Sequence, residues 1–280
     1  MVAGGTRAHF ACKRAAAGRC SCSLQVMLLS VHELSNIYAT LSSTAPLMQS
    51  TLSALLIFLG YIVGSVPVGL VVVRMRTGLD VRTVGSGRSV ATNVIRAAGF
   101  WPGFATGWLD VLKAALPVWL AVWLQPQAYW VHTLCGVAAV LGHNYSIFLR
   151  ETVTDPDSGR VRLVLRGGAG GAATLGGAMG LWPYCVIIIF PLGALIYFGI
   201  GYASVATLSI GIMSTLIMVW RASTLGMPWE YTLYGGMCLI LQVYALRPNL
   251  KRLMNGTERL VGWRAKRHSG TLTADPSAKE

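Results

Sequence analysis

The segment Val84-Gly85-Ser86-Gly87-Arg88-Ser89-Val90-Ala91-Thr92-Asn93-Val94-Ile95-Arg96 gathers hydrogen-bond donors and contains no acid. Gly85 and Gly87 let the backbone approach a ligand closely and offer N–H groups. The hydroxyls of Ser86 and Thr92, the amide of Asn93 and the guanidinium of Arg96 add side-chain donors. Such a set suits a phosphate, whose oxygens are cradled by backbone N–H groups and gripped two at a time by arginine. The run is not GxGxxG, because Val90 occupies the last position, and it lacks the GK[ST] of a P-loop. Taken alone, a glycine-rich turn with a capping hydroxyl reads equally well.

A second run, Arg166-Gly167-Gly168-Ala169-Gly170-Gly171-Ala172-Ala173-Thr174, leads straight into apolar sequence and forms another candidate anion nest at a helix start. Between it and His143-Asn144 lies the polar insert Glu151–Arg162, which reads as a hairpin or mobile loop with solvated acids. Asp110 and Lys113 stand at i,i+3 in an apolar segment, so they can share one helix face. Either they form a structural ion pair or they face a polar cavity. His143, near the edge of another apolar run, reads as a polar anchor more readily than as a general base.

The elements that must position these groups are membrane helices. The 280 residues are 54% hydrophobic and 12% charged, where a soluble domain carries roughly 25% charged residues. Mean hydropathy is +0.57. Apolar spans are expected near 52–73, 103–124, 129–149, 183–200, 204–220 and 231–246. The first contains Gly60 and Gly64, a GxxxG spacing that permits close helix packing. The net charge of +13 comes from 23 basic and 10 acidic residues. Of the basic ones, 17 fall in three regions, 74–102, 150–172 and the tail from Arg247. The positive-inside rule therefore places all three in the cytoplasm and removes the need for a nucleic-acid partner. A cytoplasmic tail requires an odd number of crossings, which predicts a short or broken extra span within 172–200. The expected fold is an all-α bundle of about seven transmembrane helices. Residues 1–47 read as a basic leader or an over-long start, 48–250 as the membrane domain and 251–280 as a basic tail. Neither the six cysteines nor the five histidines show metal-ligand or disulfide spacing, so no metal or other cofactor is expected.

Gly64-Ser65-Val66-Pro67-Val68-Gly69, Gly85-Ser86-Gly87, Ala91-Thr92-Asn93-Val94-Ile95-Arg96, Asp110-Val111-Leu112-Lys113 and Gly142-His143-Asn144 occur in this order. They are followed by the 166–174 loop, residues 202–207, Asn249-Leu250-Lys251-Arg252-Leu253 and Asn255-Gly256-Thr257-Glu258. The ordered set resembles the bacterial acyl-phosphate:glycerol-3-phosphate acyltransferase family over roughly 52–259. The resemblance implies a seven-span enzyme of the bacterial cell membrane with three cytoplasmic motif loops. It implies transfer of a fatty acyl group from acyl phosphate to the 1-hydroxyl of glycerol 3-phosphate, without acyl-CoA or metal. The enzyme that makes acyl phosphate, and membrane lipids, would be its neighbours. Ser86 and Arg96 match the serine and arginine of the first motif, with Thr92 and Asn93 at its end. Gly167, Gly168 and Gly170 match the second motif, and Asn249 with Glu258 the third.

The chain also departs from that pattern. Arg88, Ser89 and Val90 stand where the family has Asn, a small or apolar residue and Gly. Arg166 and Ala169 stand where it has two lysines, one extra residue precedes Thr174, and Leu246 stands where it has a histidine. Arg166 keeps a cation, and Arg88 can restore a missing one if both guanidiniums line one pocket with Ser86, Arg96 and Asn249. Two other readings stay open at this point: a lipid-binding or regulatory paralogue that has lost catalysis, and an organic-phosphate transporter.

Overall fold

In a computed structural model, residues 46–154, 159–262 and 264–265 are described. Residues 1–45, with Cys12, Cys20 and Cys22, and the acids Asp155 and Asp157 lie outside the described residues. Helix α1 covers 46–65 and α2 Val68–Thr77. The short α3 (Ala91–Ala98) precedes α4 (Phe100–Leu124) and α5 (Tyr129–Asn144). A two-stranded antiparallel hairpin, β1 (Arg150–Thr154) and β2 (Val161–Leu165), pairs Arg150 with Leu165 and fills the polar insert. Then come α6 (Gly171–Leu181), α7 (Cys185–Ile200), α8 (Ala203–Leu225) and α9 (Glu230–Met254). Pro46–Thr77, Phe100–Leu124 and Ala203–Leu225 are each long and apolar enough to cross a membrane. Large apolar side chains such as Trp123, Ile187, Leu195 and Ile240 face outward, as they do on a lipid-facing surface.

The expected broken element within 172–200 is α6 followed by α7. At 11 residues, α6 is about 16 Å long, and all of it but Ala172 is buried. Its glycines make that depth possible. A Cβ at Gly176 would overlap the Val111 carbonyl of α4, and one at Gly180 the Val118 side chain. Gly60 and Gly64 play the same part for α1, lying against the Cys135 and Ala139 carbonyls of α5. The core is built from Val111, Ala114 and Val118 of α4, Cys135 and Ala139 of α5, Leu175 of α6, and Tyr234 and Cys238 of α9. The α9 helix runs eight residues beyond the expected end at Leu246, although Pro248 lies inside it.

Pro67 has the largest consequence for the site. Lacking an N–H and disfavouring helix at Val66, it interrupts the ladder between α1 and α2. Three groups at this break are bound by side chains from elsewhere in the chain. Ser65 C=O accepts from Ser146 Oγ (2.5 Å). Val66 C=O accepts from Lys113 Nζ (2.7 Å). Leu70 N–H donates to Ser89 Oγ (3.0 Å).

Candidate active site

The loop 84–90 is held from within by Asn93, which is fully buried on the first turn of α3. Its Nδ2 donates to Ser86 Oγ and to the Arg88 carbonyl, each at 2.9 Å. Its Oδ1 accepts from Arg96 Nη1 at 2.9 Å and from the Ser86 N–H at 3.4 Å. Asn93 therefore positions Ser86 and Arg96; its donors are committed inside the protein rather than offered to a phosphate. Gly85 and Gly87 have φ of 57° and 69°, a region open to glycine at little cost. A side chain at Gly85 would strike the Asn93 amide.

Arg88, half-buried, reaches away from its own loop. Nη1 donates to the Gly168 carbonyl (2.7 Å), and Nη2 donates to the Ala245 carbonyl of α9. Burial pushes its guanidinium below the usual arginine range. Gly168 in turn lies on His143: its N–H donates to the His143 carbonyl (2.6 Å), and a Cβ there would overlap Nε2. Gly167 packs on the carbonyls of His143 and Asn144. Gly170, with φ 90°, caps α6, whose first N–H groups have no partner within the helix.

Beneath the loops lies a buried chain of charges. Asp110 Oδ1 is 2.8 Å from Lys113 Nζ, in an ion pair off the hydrogen-bonding directions, and 3.6 Å from His143 Nδ1. All three residues are less than a tenth exposed. The i,i+3 pair is thus formed deep in the protein rather than at an interface. Its juxtaposition with His143, 33 positions along the chain, had no local signal.

The polar groups open onto a cavity of about 350 Å³. Ser86, Arg88, Thr92, Arg96, Asp110, His143, Gly170, Asn249 and Glu258 are on its wall. From Asn249 Nδ2 a hydrogen bond runs to Glu258 Oε1 (2.8 Å), and Arg252 Nε lies 3.2 Å from Oε2. Glu258, Arg259 and Val261, within the stretch expected as a basic tail, therefore line the cavity. The lining groups not anticipated include Arg259, whose Nη1 donates to the Gly85 carbonyl, and the hydroxyl residues Tyr197, Ser204 and Thr207. Arg259 directly follows the Asn255–Glu258 motif, which was the available signal.

Arg166 is a correction. It is not on the cavity wall; half-exposed, it lies 3.6 Å from Glu151, which also accepts from Arg82 Nη1 at 3.1 Å. Its place in β2's exit, facing the hairpin, turns it from the site. Arg82 is likewise bound to Asp80 at 2.6 Å, a hydrogen bond that holds the Asp80 carboxyl below the usual range. Gly85, Gly87, Gly167, Gly168, Asn93 and Lys113 shape the cavity from behind without lining it.

Away from the polar end, the cavity is walled by Phe100, Phe104 and Trp108 of α4 and by Ile189, Phe190 and Phe198 of α7. Trp108 and Phe190 meet there with ring centroids 5.2 Å apart. One cavity thus joins a cationic, donor-rich mouth to an aromatic and aliphatic groove.

A family model for glycerol-3-phosphate acyltransferase matches residues 54–256. The glycerol-3-phosphate acyltransferase of Thermus thermophilus is 35% identical over 214 residues, which is 75% of this chain and 95% of that protein. The one from Myxococcus xanthus is 36% identical over 209 residues, 74% of this chain and 99% of that protein. Among solved structures, PlsY (YgiH), an integral membrane glycerol 3-phosphate acyltransferase, is similar in two forms. Its glycerol 3-phosphate form gives a TM-score of 0.62 at 31% identity, covering 75% of this chain and 96% of that one. Its lysophosphatidic acid form gives 0.60 at 30% identity, covering 75% and 95%.

Proposed function

The chain belongs to the glycerol-3-phosphate acyltransferase family, and from that membership we propose that it acylates glycerol 3-phosphate with acyl phosphate as donor. The observation that carries the reading is the two-ended cavity. Arg88, Arg96 and Arg259 gather at the mouth that would hold phosphates, and the aromatic groove suits a fatty acyl chain. Two phosphorylated substrates bring about four negative charges. Three guanidiniums and the N-terminal end of α6 are the groups set to balance them.

In the reaction the 1-hydroxyl oxygen of glycerol 3-phosphate attacks the acyl carbonyl carbon. The carbon–oxygen bond to phosphate breaks, giving lysophosphatidate and inorganic phosphate. Acyl phosphate is already activated, so positioning and electrostatic stabilisation suffice and no acyl-enzyme is required. Ser86, held by Asn93, donates to the developing oxyanion or to a phosphate oxygen. The hydroxyl proton passes to a phosphate oxygen of the substrates. The juxtaposition of Asp110 with His143 favours a second path, in which the cavity-lining His143 takes that proton.

The motif face and the C-terminal tail lie in the cytoplasm of a bacterial cell, with seven crossings contributed by α1–α2, α4, α5, α6, α7, α8 and α9. The excess of arginine on that face supports this orientation. An assay of lysophosphatidate formation by the purified chain, offering acyl phosphate or acyl-CoA, tests the activity and the donor together. Turnover with acyl-CoA alone would overturn the donor. No turnover with either would return the chain to a lipid-binding paralogue.

A further inference from the structure

At the end of the bundle away from the motif loops, the turns at 125–128, 182–184 and 226–229 come together around a second polar cluster. His132 bridges the Tyr231 hydroxyl (2.8 Å) and the Gln125 carbonyl (2.9 Å), and Thr133 donates to the Glu230 carbonyl (3.1 Å). Arg221 stands at this end, 17 residues along α8 from the cavity-lining Ser204, or about 25 Å by helix rise. Among the described residues it is the only basic side chain there.

Arg221 is 8% exposed, and its Nε and Nη1 are covered without a hydrogen-bond partner in the protein. Its guanidinium lies over the Trp182 ring, 4.4 Å from the centroid. The nearby titratable groups, Cys185 and Tyr231, are a thiol and a phenol, neither an anion at neutral pH. A covered cation with two unmet donors is costly, and a ring face offsets only part of that cost. A phosphate oxygen would meet one of these donors with a charge-assisted hydrogen bond and neutralise the guanidinium. From Ala222 a groove of about 620 Å³ opens, walled by Tyr129, Trp130 and Trp229. Such amphipathic rings sit at the headgroup level of a membrane.

We propose that Arg221, backed by Trp182, is a phosphate-binding site on the face opposite the acyltransferase cavity, taken by the phosphodiester of a membrane lipid headgroup. It is separate from the catalytic phosphate sites and binds with no chemistry performed.

The test uses the purified full chain in detergent and reads thermal unfolding during titration with phosphatidylglycerol, with inorganic phosphate, and with diacylglycerol of the same acyl chains. Phosphatidylglycerol should raise the melting temperature, and diacylglycerol should do so far less. In Arg221→Met the half-maximal concentration should rise by about 10- to 100-fold, the range that loss of a charge-assisted contact implies. The exposed Arg76→Ala should leave that titration unchanged. A response to inorganic phosphate that disappears in Arg221→Met would keep the site but assign it to a free ion. A phosphatidylglycerol response equal in wild type and Arg221→Met, or matched by diacylglycerol, would overturn it. Should Arg221→Met fail to purify, Arg221→Gln with bound lipid counted by native mass spectrometry decides the question. Equal retention in that variant would sink the proposal, and loss of one phospholipid would support it.

Discussion

Arg88 Nη1 donates to the carbonyl of Gly168 at 2.7 Å, joining two motif loops that lie 80 positions apart in the chain. The same guanidinium also reaches the Ala245 carbonyl of α9, beside Leu246. The added cation of the first loop thus sits against the second loop and next to the site of the absent histidine, on the cavity wall. Arg88→Ala should lower kcat/KM by about 10- to 100-fold, the value of one partly desolvated charge-assisted contact. Arg88→Lys should recover only part of it, since an ammonium cannot fork between two carbonyls. The exposed Arg76, in the last turn of α2, is the control: Arg76→Ala should leave the kinetics nearly unchanged.

Gly168→Ala should be more damaging than its one added methyl suggests. The Cβ would overlap the His143 ring, which is walled on its other side by Asp110. Either the ring or the second loop must move, and a shift of about 1 Å in a catalytic constellation costs on the order of 100-fold. Gly236→Ala on α9 would meet open space and should leave activity intact while slightly favouring the helix. Comparable activity of the two variants would show that the His143–Gly168 contact carries nothing.

Much of this site is written locally, and the remainder depends on contacts that no window of sequence contains. The donor run 84–96, the glycine-rich start of α6 and the i,i+3 spacing of Asp110 and Lys113 could be read directly. Charge placement called for a short or broken element within 172–200, where α6 and α7 stand. Arg166 looked equivalent to a phosphate-binding cation because its neighbours are glycines. What turns it away is Glu151, brought alongside by the register of a hairpin. The Asp110–His143 approach and the reach of Arg88 to α9 are likewise set by helix packing. The first span was expected to run unbroken over 52–73, so the break at Pro67, and the free groups there that hold Ser89, Lys113 and Ser146, were not anticipated.

His143→Gln separates the two proton paths. Glutamine keeps a polar group of similar reach beside Gly168 but cannot serve as a base near neutral pH. With a substrate phosphate as base, kcat should fall by less than about 10-fold. Loss of a true general base costs about 100- to 10,000-fold, and a fall of that size would move the proton to His143.

Asp110 and Lys113 should behave as a unit. Removing one partner strands a buried charge, a change that typically costs about 3–5 kcal/mol. Asp110→Ala alone should therefore lower the melting temperature sharply, and so should Lys113→Met, which also removes one of the two donors to the Val66 carbonyl. The double variant should be markedly less destabilised than the sum of the two. Strict additivity of the thermal shifts would mean that each side chain acts through other contacts.

Trp108 and Phe190 close toward each other across the apolar groove, α4 to α7, at 5.2 Å between ring centroids. A fatty acyl chain running from the polar mouth must pass or stop at this pair. Trp108→Ala removes most of one wall without touching Ser86, Arg88 or Arg96, so it should act on chain selection rather than on phosphate recognition. The ratio of kcat/KM for longer over shorter acyl phosphates should rise, by about 10- to 200-fold for each methylene group newly accommodated, given the roughly 1–3 kcal/mol that one methylene contributes in an apolar pocket. The KM for glycerol 3-phosphate should stay within about twofold, since uniform binding of that substrate is untouched. Competition between acyl phosphates of graded length, read by mass spectrometry of the lysophosphatidate formed, measures the ratio directly. An unchanged product distribution would show that the chain leaves the cavity before it reaches this aromatic pair.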